Sequence, residues 1–158
     1  MEGKNMRKSQ SGFTLIELVI VIVILGLLTA VALPRFTNLQ TEARIAKMNA
    51  ALGSIRAGAM TAHAVQMAQQ GAAAASVTLE GVAIPMSIGY PTATTASIGE
   101  AAGITSNPDY TVTVSDGNTY TVTPDLSHPN CAITYTVPTA AGLAPTFVKT
   151  GLTTLNCQ

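Results

Sequence analysis

The sequence has no Trp, three Phe, four Tyr, two His and two Cys, and charged residues make up only 10% of its 158 positions, against roughly 25% in ordinary domains. Each shortage excludes something. Formal net charge is zero and no basic run exceeds the pair Arg7-Lys8, so the electrostatic footprint of a nucleic-acid-binding protein is missing. His63 and His128 lie far apart, and with Cys131 and Cys157 they lack zinc-ligand spacing. Both histidines read as surface residues rather than catalytic bases. Asp109, Asp116 and Asp125 are too dispersed for a calcium loop. There is no phosphate-binding glycine loop and no G-x-S-x-G element. No catalytic residue, metal or cofactor is implied. Low charge does not mean disorder here, because apolar residues reach 47%. The length suits one ordinary domain plus an extra element.

The aliphatic content is concentrated between Phe13 and Leu33, FTLIELVIVIVILGLLTAVAL. As a helix this run crosses about 30 Å of hydrocarbon. Its Val/Ile content suits a helix poorly in water, but in lipid the backbone must satisfy itself and helix wins. Lys4, Arg7 and Lys8 outweigh Glu2 ahead of it, so that end stays cytoplasmic. A secretory signal peptide is the competing reading, with Ala30-Val31-Ala32 as a loose cleavage site. Against it, the run is long and holds an acid, Glu17. A carboxylate in a spanning helix costs about 2.5–3.5 kcal/mol at mid-bilayer, and none of the residues Leu18 to Pro34 is charged. Glu17 therefore either snorkels to the interface or meets a partner from outside this stretch.

Pro34 predicts a kink or the helix end. The residues that follow favour continuation, because 35–70 contains no Pro and is rich in Ala, Gln, Met, Leu, Lys and Arg. Two apolar stripes run along it. One is small: Phe36, Leu39, Ala43, Ala46, Ala50, Gly53, Ala57, Met60, Ala64, Met67. The other is bulky: Ile45, Met48, Leu52, Ile55, Ala59. At about 100° per residue they fall on nearly opposite sides. A helix with two apolar faces is sandwiched, unlike an ordinary surface helix, and the stripes do not coincide as a coiled coil would require. We read the bulky stripe as facing the rest of the chain and the small one as facing neighbouring helices. Gly71 and the Ala-rich run after it end the helix.

From residue 71 onward the pattern is loops and strands. Gly81 to Ile88 reads as a strand, Gly89-Tyr90-Pro91 opens a loop, and Thr95 to Ala102 forms a short helix stopped near Gly103. Tyr110–Val114 and Thr119–Thr123 flank Asp116-Gly117, a strong hairpin signal. Cys131–Val137 is a third strand between that hairpin and Pro138. Two Cys beside a membrane segment suggest one disulfide in an oxidising compartment, the alternative being two buried free thiols. A Cys131–Cys157 bridge would close the C-terminal segment onto the sheet and contribute about 3.5 kcal/mol in the chain-entropy model.

The run Ser11-Gly12-Phe13-Thr14-Leu15-Ile16-Glu17-Leu18, with the basic leader before it and the apolar segment after it, resembles the prepilin processing motif of type IV pilins and type II secretion pseudopilins. The resemblance implies an α+β fold, with a long N-terminal helix, transmembrane in its first half, packed on a small antiparallel β-sheet head. It implies cleavage by a prepilin peptidase between Gly12 and Phe13 and N-methylation of Phe13. It also implies Glu17 in assembly, where the new Phe13 amine of an adjacent subunit is its partner. The division is then 1–12 cleaved leader, 13–34 transmembrane and polymerisation helix, 35–70 amphipathic continuation and 71–158 head. A C-terminal disulfide loop through Cys131 and Cys157 matches the type IVa pattern. Gly89-Tyr90-Pro91 and its neighbours look like mannose-sensitive haemagglutinin-type pilins. The implied partners are copies of the chain itself in a helical homopolymer, the prepilin peptidase, the pilus assembly machinery and the inner membrane before assembly, with a surface filament as destination. The aromatics are too sparse for a conductive filament. A pseudopilin, a minor pilin at a filament tip and a membrane-anchored enzyme or binding protein are the alternatives. The cysteine pair and the missing acidic loop weigh against the first, and the lack of convergent polar groups weighs against the last.

Overall fold

The computed structural model describes residues 12–69, 75–149 and 151–158, without the side chains of residues 33, 34, 36 and 37. The chain divides into two compact units, Met1–Thr37 and Asn38–Gln158. One helix, α1 (Leu15–Ala68), contributes to both. Its assignment is uninterrupted, as the helix-forming composition after Pro34 predicts. The kink expected at Pro34 turns on a side chain outside the described residues, and the leader at 1–11 and the helix stop at Gly71 also fall outside them. The last helical residue is Ala68, and Gln69 closes the final turn on the Val65 carbonyl at 3.0 Å.

In the first unit every described residue from Gly12 to Val31 is exposed. The Thr29 hydroxyl donates to the Leu25 carbonyl at 2.6 Å, so this apolar stretch carries no unmet hydroxyl.

In the second unit α1 packs its bulky stripe into the core. Met48, Leu52, Ile55 and Ala59 are buried, and Ile45 is partly so. The small stripe stays outside: Ala43, Ala46, Ala50, Gly53, Ala57, Met60, Ala64 and Met67 are all exposed. Size decides the assignment. Burying a Met, Leu or Ile contributes about 1.5–3 kcal/mol apiece, and Ala gains little from the same position.

After α1 come two small antiparallel hairpins. β1 (Val77–Leu79) pairs with β2 (Val82–Ile84), and β3 (Met86–Ser87) pairs with β4 (Tyr90–Pro91). The single strand expected over Gly81–Ile88 is therefore two short strands from different hairpins, and Tyr90-Pro91 is a strand where a loop was expected. The reason lies in the turns. Glu80-Gly81 and Ile88-Gly89 both have two positive φ values, 50° and 86° for the first pair, 52° and 86° for the second. That is the turn geometry that matches strand twist in a two-residue hairpin. Glu and Ile do not advertise it.

The helix predicted over Thr95–Ala102 is present as a wide turn, Thr95–Gly99, followed by α2 (Glu100–Ala102). Gly103, at φ 66°, ends it. Its N–H reaches the Glu100 carbonyl at 3.1 Å and that of Ile104 reaches Gly99 at 2.9 Å, a Schellman stop in which the next residue, Ile104, is buried.

The main sheet has four antiparallel strands in sequential order, β5 (Thr111–Ser115), β6 (Thr119–Thr123), β7 (Ile133–Thr136) and β8 (Thr146–Val148). The hairpin at Asp116-Gly117 is as read from sequence, with φ values of 54° and 65°. β8 escapes a sequence reading because only three residues separate Pro145 from Lys149. Tyr120, Val122, Ile133 and Tyr135 point inward and are fully buried, so β6 and β7 alternate as half-buried strands should. The buried tyrosine hydroxyls tie the sheet to the preceding loops: Tyr120 donates to the Ile104 carbonyl at 2.5 Å and Tyr135 to the Pro91 carbonyl at 2.7 Å. Burial pushes both phenols above their ordinary pKa. Cys131 and Cys157 are joined, with Cα atoms 4.9 Å apart.

Candidate functional site

The N-terminal end of α1 is built by Thr14 and Glu17. The Glu17 carboxylate accepts from the Thr14 backbone N–H at 2.8 Å and from the Thr14 hydroxyl at 2.7 Å, and the Glu17 N–H donates to the Thr14 hydroxyl oxygen at 3.3 Å. With Leu15 as first helical residue, this is a reciprocal capping box. It satisfies two donors that a helix start otherwise leaves open. Sequence reasoning sought the partner of Glu17 outside the stretch and missed the nearest one, although Thr-x-x-Glu ahead of an apolar run is its signature. Glu17 therefore has a local partner before any second chain arrives. Phe13 is 90% exposed and Leu15 80%, so the residues flanking the box offer only apolar surface. The window Leu15–Ala32 is long and apolar enough to cross a membrane by length and composition, and none of it is buried.

On the second unit the exposed small stripe of α1 has no bulky side chain between Leu39 and Met60. The flanks of the stripe are occupied from within. Arg44 donates to the Cys157 carbonyl at 3.1 Å and lies 3.9 Å from the Asp125 carboxylate. Lys47 donates to the Asp109 carbonyl and sits 4.6 Å from the Tyr110 ring centroid. Arg56 lies 5.0 Å from the Phe147 centroid. Arg44 and Lys47 hold loops of their own unit and Arg56 lies against β8, and the stripe residues between them carry no charge. Gly58 lets α2 approach: a Cβ there would meet the Ala101 carbonyl oxygen at 2.5 Å.

The two histidines, read from sequence as surface residues, are partly buried and hydrogen-bonded within their own unit. His63 shares a 2.6 Å hydrogen bond with the Gly89 carbonyl and stacks on Tyr90 with ring centroids 4.2 Å apart. His128 bonds the Asp125 carboxylate at 2.7 Å. Burial pushes the Asp125 carboxyl up, but hydrogen bonds from the His128 side chain and the Ser127 and His128 N–H groups outweigh it, and the carboxyl sits below its ordinary range. Both histidines fasten loops. Among the described residues no group of three or more His, Cys, Asp or Glu converges as metal ligands would.

Comparison with known proteins bears on the N-terminal segment. Residues 7–33 match the prokaryotic N-terminal methylation motif. The chain is 53% identical over 45 residues to the type IV narrow pilus major component PilA5 of Thermus thermophilus, covering 28% of this chain and 39% of that one. It is 39% identical over 51 residues to the type IV major fimbrial protein FimA of Dichelobacter nodosus, 32% and 33% of the two chains. It is 49% identical over 47 residues to the fimbrial protein EcpB of Eikenella corrodens, 30% of each. The chain thus spans well under half the length of these relatives. No solved structure matches it.

Proposed function

We propose, from the premise that this chain carries the N-terminal segment of the type IV pilins, that it is a structural subunit of a type IV pilus that polymerises through α1 into a surface filament for adhesion or motility. The observation that carries the reading is the exposed, largely aliphatic run from Phe13 to Val31, in which Glu17 is the one charged residue. Such a surface is at home in lipid and equally among identical helices. In this reading a prepilin peptidase cuts between Gly12 and Phe13 and methylates the new amine, the precursor waits in the inner membrane, and the assembly machinery extracts it. The chain then divides into leader 1–12, polymerisation helix 13–34, continuation 35–70 and head 71–158, whose C-terminal loop is closed by Cys131–Cys157.

Glu17 gives the assembly step its selectivity. Once Phe13 is the terminus, its amine is a cation at the end of an apolar helix. A filament core cannot hold it unpaired, and a carboxylate from the adjacent copy offsets the cost. Thr14 keeps that carboxylate at the start of its own helix until the neighbour docks. The test is Glu17→Ala in producing cells. The membrane fraction should retain the protein, and the yield of sheared filaments should fall. Undiminished filaments from Glu17→Ala would end this account of Glu17. Antibody labelling along whole fibres supports a major subunit, labelling at tips a minor one, and a secretion defect without fibres a pseudopilin.

A further inference from the structure

The main sheet has two edges, β5 and β8. β8 is three residues long and runs into Lys149. β5 is five residues, TVTVS, pairs with β6 without a bulge along its own length, and holds no charge and no Pro. Thr113, Val114 and Ser115 are exposed. Half of the backbone N–H and C=O groups of such a strand point away from its single neighbour. Edges are ordinarily blunted by charge, proline, a bulge or a covering element, and β5 shows none of the first three.

The order of residues says what fits there. Thr111-Val112-Thr113-Val114-Ser115 reads nearly the same in both directions. Antiparallel pairing of two copies about a twofold axis at Thr113 sets Thr111 opposite Ser115, Val112 opposite Val114, and Thr113 opposite itself. All hydroxyl residues then share one face and all valines the other, because side chains alternate along a strand. On the hydroxyl face each copy already aligns Thr113 with Thr121 and Thr134, and Ser115 with Thr119 and Thr136, so the join continues rows that exist. A slip of one residue sets Thr against Val and breaks both faces. The five paired residues carry no charge, and the flanking acids Asp109 and Asp116 lie just outside them.

We propose that β5 pairs with β5 of a second copy of this chain, antiparallel and centred on Thr113, making one eight-stranded sheet from two heads. An isologous contact needs this self-complementarity, and a five-residue strand supplies it. The contact is small against the roughly 800 Å² per partner of a stable interface, so two isolated copies hold each other weakly. Copies arrayed on filaments gain by multivalency, and the contact then joins filaments side by side. That consequence rests on the pilus reading; the contact itself does not.

The experiment uses the full chain in membranes of producing cells, with Thr111→Cys, Thr113→Cys and Ser115→Cys introduced singly and oxidised by copper phenanthroline. The register predicts that Thr113→Cys alone gives several-fold more homodimer than either other variant alone. It also predicts that Thr111→Cys and Ser115→Cys, co-produced with tags of different size, cross-link to each other. Adding Val114→Lys to Thr113→Cys should abolish the dimer. Equal cross-linking at all three positions, none at any, or Thr113→Cys joined to a different protein each overturns the proposal. Because the readout is taken in the membrane, a chain that forms no filaments still tests it.

Discussion

Two glycines on α1 offer a controlled perturbation. Gly53 and Gly58 lie in the same helix, five residues apart, and replacing either by Ala gains helix propensity of about 0.8–1 kcal/mol. Their surroundings differ. A Cβ on Gly53 meets nothing within 4 Å, whereas one on Gly58 meets the Ala101 carbonyl oxygen at 2.5 Å, the Ala101 carbonyl carbon at 2.7 Å and the Ala102 nitrogen at 3.0 Å. All three atoms are backbone at the end of α2, which the Schellman stop at Gly103 fixes, so relief requires moving the whole turn. Overpacking of this kind costs roughly 1–3 kcal/mol. The propensity gain is common to both variants and cancels in their difference. Gly53→Ala should stabilise the second unit by about 0.5–1 kcal/mol, and Gly58→Ala should fall below Gly53→Ala by about 1–3 kcal/mol. The assay is urea unfolding of detergent-solubilised full chain, followed by near-ultraviolet dichroism. With no Trp in the chain, that signal comes from the tyrosines and disulfide of the second unit, the buried Tyr120 and Tyr135 among them, rather than from helix surviving in detergent. Equal midpoints for the two variants would refute the close approach of α2 to Gly58 as a constraint.

The remaining predictions concern strain and protons. Ile88 is a β-branched residue at φ 52°, a conformation that costs an L-residue about 1–2 kcal/mol; Ile88→Asn, which tolerates it, should raise the urea midpoint by an amount equivalent to about 1 kcal/mol, and a lowered midpoint would refute the strain. The Asp125 carboxyl titrates below its ordinary 3.8 when folded, so the unfolded chain binds the proton first as pH falls. Its stabilisation is present above pH 3.8 and is lost as pH falls through the lower folded value, and Asp125→Asn should flatten that acid limb of a stability-against-pH curve. Tyr120 and Tyr135 shift the other way from an ordinary 10.0. Their stabilisation is complete below that pH and is lost above it, so alkaline unfolding should precede spectroscopic ionisation of either phenol, and ionisation in the still-folded chain would contradict the burial.

How much of this was legible in the sequence is best seen at the turns. Three hairpin turns contain two successive residues at positive φ, and in all three the second is Gly. Asp116-Gly117 was readable because Asp tolerates the left-handed region through its short polar side chain. Glu80-Gly81 and Ile88-Gly89 were not, because local preference there opposes the fold and tertiary contacts override it. At Ile88-Gly89 the override is visible: the Gly89 carbonyl is held by His63 and Tyr90 stacks on the same ring. The missed roles of His63 and His128 have the same origin, since a loop-fastening histidine leaves no mark in spacing. The capping box at Thr14 and Glu17, by contrast, is legible as Thr-x-x-Glu ahead of an apolar run.

α1 shows what periodicity can and cannot decide. Two stripes at helical spacing establish that both sides of the helix are apolar, but the period is blind to which side meets the rest of the chain. Side-chain volume separates them, because large residues gain most from a packed core and small ones permit close approach of another backbone. The same logic reaches a limit at Phe13–Val31, where nearly every side chain is large and every one is exposed. Lipid tails and neighbouring helices are equally apolar, so burial alone gives this surface no preference between membrane and filament. On the proposed pilus reading, Glu17 is the group in that stretch whose energy differs between the two environments, since it meets a cation in one and not in the other. In the proposed assembly the choice between bilayer and fibre therefore rests on a single carboxylate, and the surrounding aliphatic residues set only how strongly either state is held.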